Sequence, residues 1–223
     1  MPRPREFFYD LHIHTNRHSP CSEIAPEDAI AAARERGLDG IALTEHDYLW
    51  SLEEVELLKA RAGCPSFPVL AGCEVTTRSD NRRTGDVLVF GASEIPAKTW
   101  SLDEICLAAH RQGGIVVAAH PYAPLVGMGD DVRSAMVDAI EIANHRYPSP
   151  EATHRLRRMC RELELPAIAS SDAHVVEDIG SFCVGLGERV ETAQDLIRVI
   201  HDGRCMPCCH LPPGVLGRFL RRL

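Results

Sequence analysis

Short apolar runs of strand length alternate with helix-patterned segments along nearly the whole chain. The runs lie at 6–13, at DGIALTEHD (39–47), FPVLAGCEVT (67–76), DVLVFGA (86–92), IVVAAHP (115–121) and DAIEIAN (138–144), and at LPAIASSDAH (165–174). Between or after them come PEDAIAAARERG (26–37), LEEVELLKARAG (52–63), SLDEICLAAHRQGG (101–114), PSPEATHRLRRMCRELE (148–164) and TAQDLIRVIHDG (192–203). Acidic residues near the starts of these segments and Gly37, Gly63 and the Gly113-Gly114 pair at their ends give them helix polarity, and Ser101 is placed as an N-cap. Strand and helix in alternation signify βα units and a parallel sheet. The strand runs are apolar on both faces, which a parallel sheet covered by helices requires. About seven such units in 223 residues predict a closed or nearly closed α/β barrel, a single domain over 1–203 with a tail at 204–223.

Composition narrows the partners. A formal net charge of −8 disfavours a nucleic-acid coat or a binder of anionic membranes, and together with eleven histidines it suits a site for divalent cations. No window approaches a membrane span, and MPRPREFF lacks the apolar region of a signal peptide, so the expected location is the cytoplasm. The nine cysteines are scattered and mostly within apolar runs, as reduced buried thiols would be.

Polar residues collect where the strands end. His12 and His14 share one side of the first strand by its period of two, and Asp172 and His174 repeat that spacing. TEHD carries His46 between Glu45 and Asp47, Glu74 follows LAGC, His120 precedes Pro121, and Glu141 leads to Asn144 and His145. In a β/α barrel the strand C-termini converge on one mouth, where active sites are built. A lone histidine at a strand end is usually a hydrogen-bonded polar residue. Six strands each delivering an imidazole or carboxylate to one rim is the pattern of a metal cluster.

The ordered set DLHIHT, LTEHD, GCEVT, AAHP and SSDAH, spanning residues 10–174, resembles the PHP (polymerase and histidinol phosphatase) superfamily of metal-dependent phosphoesterases. The resemblance implies a distorted seven-stranded, TIM-like β/α barrel holding two or three divalent ions, of zinc, manganese, iron or magnesium. It implies that His12, His14 and Asp172 hold one ion. Glu74 would bridge to a second, held by His120 and His145, and a third would take His46 and His174. Cys21 stands where many members have an aspartate for the third ion. Glu23 and His18 are the alternatives, with Glu23 favoured as the like-for-like donor and Cys21 favouring zinc. Glu45 replaces a commoner aspartate and is expected to orient a ligand.

Clustered cations suit phosphoester hydrolysis, with Glu74 in the catalytic centre and Asp47 or an imidazole assisting the leaving oxygen. Arg17, Arg78, Arg82, Arg83 and Arg146 are the candidate phosphate donors, with Arg146 foremost and TTRSDNRRTGD (76–86) read as a mobile basic loop over the site. The expected substrate is a small phosphomonoester such as a nucleotide or histidinol phosphate. The alternatives are a metal-dependent amidohydrolase, which would usually want a bridging lysine, and a non-catalytic regulatory module. Lys59 and Lys98 both sit away from strand ends. GRCMPCCH (203–210) lacks the partner half of a zinc knuckle, and GVLGRFLRRL (214–223) reads as a basic amphipathic tail for packing or self-association.

Overall fold

Residues 6–80, 82–94, 100–210 and 220–222 are described by the structure, a computed structural model. Five helices form where the sequence pattern places them. They are α1 (Pro26–Glu35), α2 (Leu52–Arg61), α3 (Leu102–Arg111), α4 (Pro150–Leu163) and α5 (Ala193–His201). Their starts are chemically specified. Ser51 with Glu54, Ser101 with Glu104 and Thr192 with Asp195 form reciprocal capping boxes, while Pro26 and Pro150 open α1 and α4.

The seven expected strands are present as β1 (Phe7–Ile13), β2 (Gly40–His46), β3 (Val69–Ser79), β4 (Arg82–Phe90), β5 (Ile115–Ala119), β6 (Ala139–Ala143) and β7 (Ala167–Ala169). The count of seven is nevertheless corrected. β8 (Phe182–Leu186), β9 (Cys205–His210) and β10 (Leu220–Arg222) join the same sheet, in the order β10-β9-β8-β1-β2-β3-β4-β5-β6-β7. The sheet is also mixed rather than parallel. β3 and β4 form a hairpin, so β4 runs antiparallel to both β3 and β5. Residues 76–79 and 82–86 are therefore paired arms of a hairpin rather than a loop over the site. Closure is split along β1: Phe7–Tyr9 pair with β8, while Ile13 bridges in parallel to Ala173, just beyond β7. Among the described residues, Cys205, Cys208 and Cys209 join no group of metal donors. Alternation along β9 sends Cys205 and Cys209 to one face and Cys208 to the other, where it lies opposite Cys183. Of the tail at 214–223, only β10 is described.

Side chains from eight strands pack into the barrel interior, including Tyr9, Leu11, Ala42, Leu70, Phe90 and Val117, and α5 closes its floor with Leu196, Val199 and Ile200. Gly40 and Gly72 make room for the two largest interior rings. A Cβ on Gly40 would fall 2.3 Å from Tyr9 Cε1, and one on Gly72 would fall 2.5 Å from Phe90 Cε1. The Tyr9 hydroxyl donates to Val190 O at 2.8 Å and accepts from Val190 N at 2.9 Å, tying the floor to β1.

Candidate metal centre

The alternation that fills the interior also delivers the site. Ala42 and His46, Leu70 and Glu74, Ala139 and Glu141, and Ile168 and Asp172 are each pairs of one parity. Their apolar members fill the barrel and their polar members stand at the mouth. On β1 the register shifts between Asp10 and Ile13. That irregularity resets the alternation, so Tyr9 and Leu11 face the interior while His12 and His14 face the site. Asp47, His120 and Asp172, all just past strand ends, have φ of 53°, 30° and 53°. Left-handed backbone at non-glycine residues costs on the order of 1–3 kcal/mol and concentrates at functional sites.

Glu74 is the hub. Its Oε1 lies 3.6 Å from His12 Nε2 and 3.0 Å from His120 Nε2. Its Oε2 lies 3.2 Å from His14 Nε2 and 2.9 Å from His46 Nδ1. Asp172 Oδ1 sits 3.5 Å from His12 Nε2 and 3.4 Å from His14 Nε2, and those two nitrogens are 3.1 Å apart. His174 holds one nitrogen, Nδ1, on the Asp172 carbonyl at 2.9 Å and joins His14 and His46 in a third group of donors. His12, His14, Glu74, His120 and Asp172 are buried; His46 is partly open.

The electrostatics are those of interlocked acids and bases. Burial alone would lower the His12 pKa, but the charges of Asp172, Glu74 and Glu141 reverse this and raise it well above the ordinary imidazole value. Burial would raise Glu74, yet the His12 charge and hydrogen bonds from His12, His120 and His14 hold it well below the carboxylate range. His174 is pushed down to about 4 by burial and by the neighbouring His14 charge.

These donors fit divalent cations. Bonds of ~2.0–2.2 Å from two donors to one ion put the donors about 3 Å apart, which is the spacing found around Glu74 and Asp172. A mixed imidazole and carboxylate set suits zinc, manganese or iron. His120 Nδ1 is buried without a hydrogen-bond partner. Glu141 Oε1 lies 3.2 Å from His12 Nδ1, and its Oε2 accepts from His120 N at 2.9 Å and Asn144 Nδ2 at 3.1 Å. A carboxylate on one ring nitrogen leaves the other free to face an ion.

Several expected members stand apart. His145 turns to the surface and pairs with Asp178 at 3.1 Å, so it is not beside His120. Glu23 is exposed, its backbone N–H bound to His174 O, and its carboxylate joins no donor group among the described residues. His18 stacks on Tyr48 with centroids 3.5 Å apart. Cys21 lies at the rim, where it feels the charges of Arg146, Glu74 and Asp172, but among the described residues it joins no donor group. Arg17 lies over the Trp50 ring, 5.7 Å from its centroid. Arg78 is on the hairpin arm, four residues beyond Glu74 and so about 13 Å further along the strand. Arg146 does reach the mouth: its charge is felt by Asp172, Cys21 and His174. Asp47 follows His46, and its N–H donates to Glu74 O at 2.9 Å.

One buried carboxylate was not expected. Asp86 is grouped with Glu74 and His120, accepts from Thr76 Oγ1 at 2.9 Å, and pairs with Arg83. Its strand is antiparallel to both neighbours, and Asp86 is its middle residue rather than one at its C-terminal end. A search confined to strand C-termini passes over it.

Comparison with known proteins agrees with this architecture. The chain is 27% identical over 145 residues, 60% of its length and 80% of the relative's, to an uncharacterized protein of Methanocaldococcus jannaschii. Its fold is similar to that of a candidate metal-dependent phosphoesterase of Bifidobacterium adolescentis, with TM-score 0.63, 19% identity, and coverage of 88% of this chain and 96% of that one. It is similar also to a lesion-specific endonuclease of Pyrococcus furiosus, with TM-score 0.64, 17% identity, and coverage of 97% of this chain and 58% of that one. The sequence profile of the PHP-associated region matches residues 150–205, and that of the PHP domain matches residues 10–138, which contain DLHIHT, LTEHD, GCEVT and AAHP. By that match over more than half its length, the chain belongs to the PHP domain family.

Proposed function

We propose that this protein is a metal-dependent phosphoesterase that hydrolyses small phosphomonoesters, a class that includes nucleotides and histidinol phosphate. The observation that carries the reading is the convergence of His12, His14, His46, His120 and Asp172 around the Glu74 carboxylate. Two or three divalent ions bound there would supply the charge that activates water and neutralises phosphoryl oxygens. Glu74 presents one oxygen to each side of the cluster and acts as the shared anionic donor. Arg146 supplies a permanent cation at the rim to orient the phosphate. Asp47 or a mouth imidazole gives the leaving oxygen its proton.

Other readings have less support. Lys59 is paired with Glu56 on α2, away from the mouth, which disfavours it as the bridging lysine of an amidohydrolase; Lys98 lies outside the described residues. The breadth of the donor set disfavours a non-catalytic module. The endonuclease among the structural neighbours makes the diester the comparison to run. An aryl phosphate, its diester and an aryl amide assayed with Mn²⁺ and with Zn²⁺ separate these classes. Fastest turnover of the monoester is expected. Turnover of diester alone, or of amide alone, would replace the reading, and a protein that neither binds metal nor turns over any of them would be a binding module.

A further inference from the structure

Glu45 is fully buried and carries no basic partner among the described residues. Donors converge on it: Thr15 N at 3.0 Å, Thr15 Oγ1, Ser19 Oγ at 2.6 Å and Trp50 Nε1 at 3.2 Å. Ser19 is buried as well, and its oxygen meets three groups. Besides Glu45 Oε2, it accepts from His46 N at 3.1 Å and lies 3.3 Å from His14 Nδ1. Hydrogen-bond accounting then sets the role of Ser19 toward His14. A hydroxyl has one donor and two acceptor positions, and Glu45 is the acceptor on which these donors converge. The Ser19 hydrogen therefore goes to Glu45, and both Ser19 lone pairs receive hydrogens, one from His46 N and one from His14 Nδ1. With Nδ1 committed to Ser19, His14 turns its Nε2 edge to His12 Nε2, Glu74 and Asp172.

We infer that Ser19 and Glu45 form a positioning relay that holds His14 in its Nδ1–H form and ties the end of β2 to the loop after β1. His12 receives the same service directly from Glu141; His14 receives it through a hydroxyl. The loop that carries Ser19 is anchored from behind. His18 stacks on Tyr48 at an interplanar angle of 11° and meets Trp50 edge-on at 81°, and Arg17 covers the Trp50 ring. Arg17 and His18 thus brace the relay from behind.

The inference rests on the reading of His14 as a metal donor, and the experiment separates the two. Mn²⁺ and Zn²⁺ affinities are measured by competition with a chromophoric chelator for the unaltered protein and for Ser19→Ala. Loss of an outer partner of a ligand weakens metal binding by about 10- to 100-fold. The ¹⁵N spectrum of the unaltered, zinc-loaded protein is expected to show a proton on His14 Nδ1. That measurement needs no variant and stands if Ser19→Ala fails to fold. Glu45→Gln places an amide donor against the Ser19 oxygen in one of its orientations and is expected to weaken binding without loss of helix content. Wild-type affinity in Ser19→Ala, or a proton absent from His14 Nδ1, overturns the relay alone. Failure of the unaltered protein to bind either ion overturns the relay and the metal centre together.

Discussion

Replacing Glu74 with glutamine keeps the size of the side chain and removes its charge. The carboxylate faces His46 Nδ1 at 2.9 Å, His120 Nε2 at 3.0 Å, His14 Nε2 at 3.2 Å and His12 Nε2 at 3.6 Å. Its two oxygens serve different imidazole pairs, so one substitution removes an anionic donor from two neighbouring positions. Perturbing even an outer partner of a ligand costs at least ~10-fold in affinity or activity. Two positions perturbed at once give at least ~100-fold, about 2.8 kcal/mol at ~1.4 kcal/mol per tenfold. The assay is kcat/KM on an aryl phosphate with saturating Mn²⁺, alongside metal content after dialysis and thermal melting to confirm the fold. Near-normal turnover with a full complement of metal would refute the shared-donor role of Glu74 and with it the proposed arrangement of the centre.

Chelation with EDTA should lower Tm: an ion present at 100 times its Kd contributes about 2.7 kcal/mol to the folded state, about 5–10 °C for a chain of this size, and an unchanged melt would show that nothing stabilising was removed. Arg146→Ala should raise KM or lower kcat for a phosphate substrate while metal content stays constant, and unchanged kinetics would discard it as a phosphate donor. Asp86→Asn should lower the metal-to-protein ratio, measured by elemental analysis, whereas Arg83→Leu should not; equal loss in both would make Asp86 an ion-pair partner only. Tyr9→Phe leaves the buried N–H and O of Val190 without their partner and should cost about 1–3 kcal/mol in urea unfolding with no change in kcat. Burial raises the Tyr9 hydroxyl from 10.0 to about 12. The folded state therefore holds its proton longer than the unfolded state. The associated stability is fully present below pH 10 and is lost as pH rises toward 12; the Tyr9→Phe variant should lack that alkaline component.

What could be read from the chain, and what could not, follows from which interactions are local. Strand period and helix caps are written in neighbouring residues, so β1–β7 and all five helices fall where the pattern puts them. The same logic finds His12, His14, His46, Glu74, His120, Asp172 and His174. All but Glu74, which lies mid-strand in β3, sit at or just past the end of a strand, and each of the strands β1, β2, β3, β5 and β7 runs parallel to at least one neighbour. Asp86 escaped because the direction of β4 is set by the β3–β4 hairpin, a pairing that no apolar period reveals. β8–β10 escaped for a related reason: FCVGL and CMPCCH carry glycine, proline and small thiols, and become strands by pairing with β1 and with each other. His145 and Glu23 show the converse: both were expected at the cluster, and the structure places them apart from it. Proximity in sequence to a strand end brings a side chain to the rim, but its direction depends on partners such as Asp178, 33 residues away. Ser19 had no distinguishing pattern at all, yet the geometry assigns it all three of its hydrogen bonds. The local code therefore reports which donors can reach the mouth, and the pairing of distant strands decides which of them meet and in which protonation form.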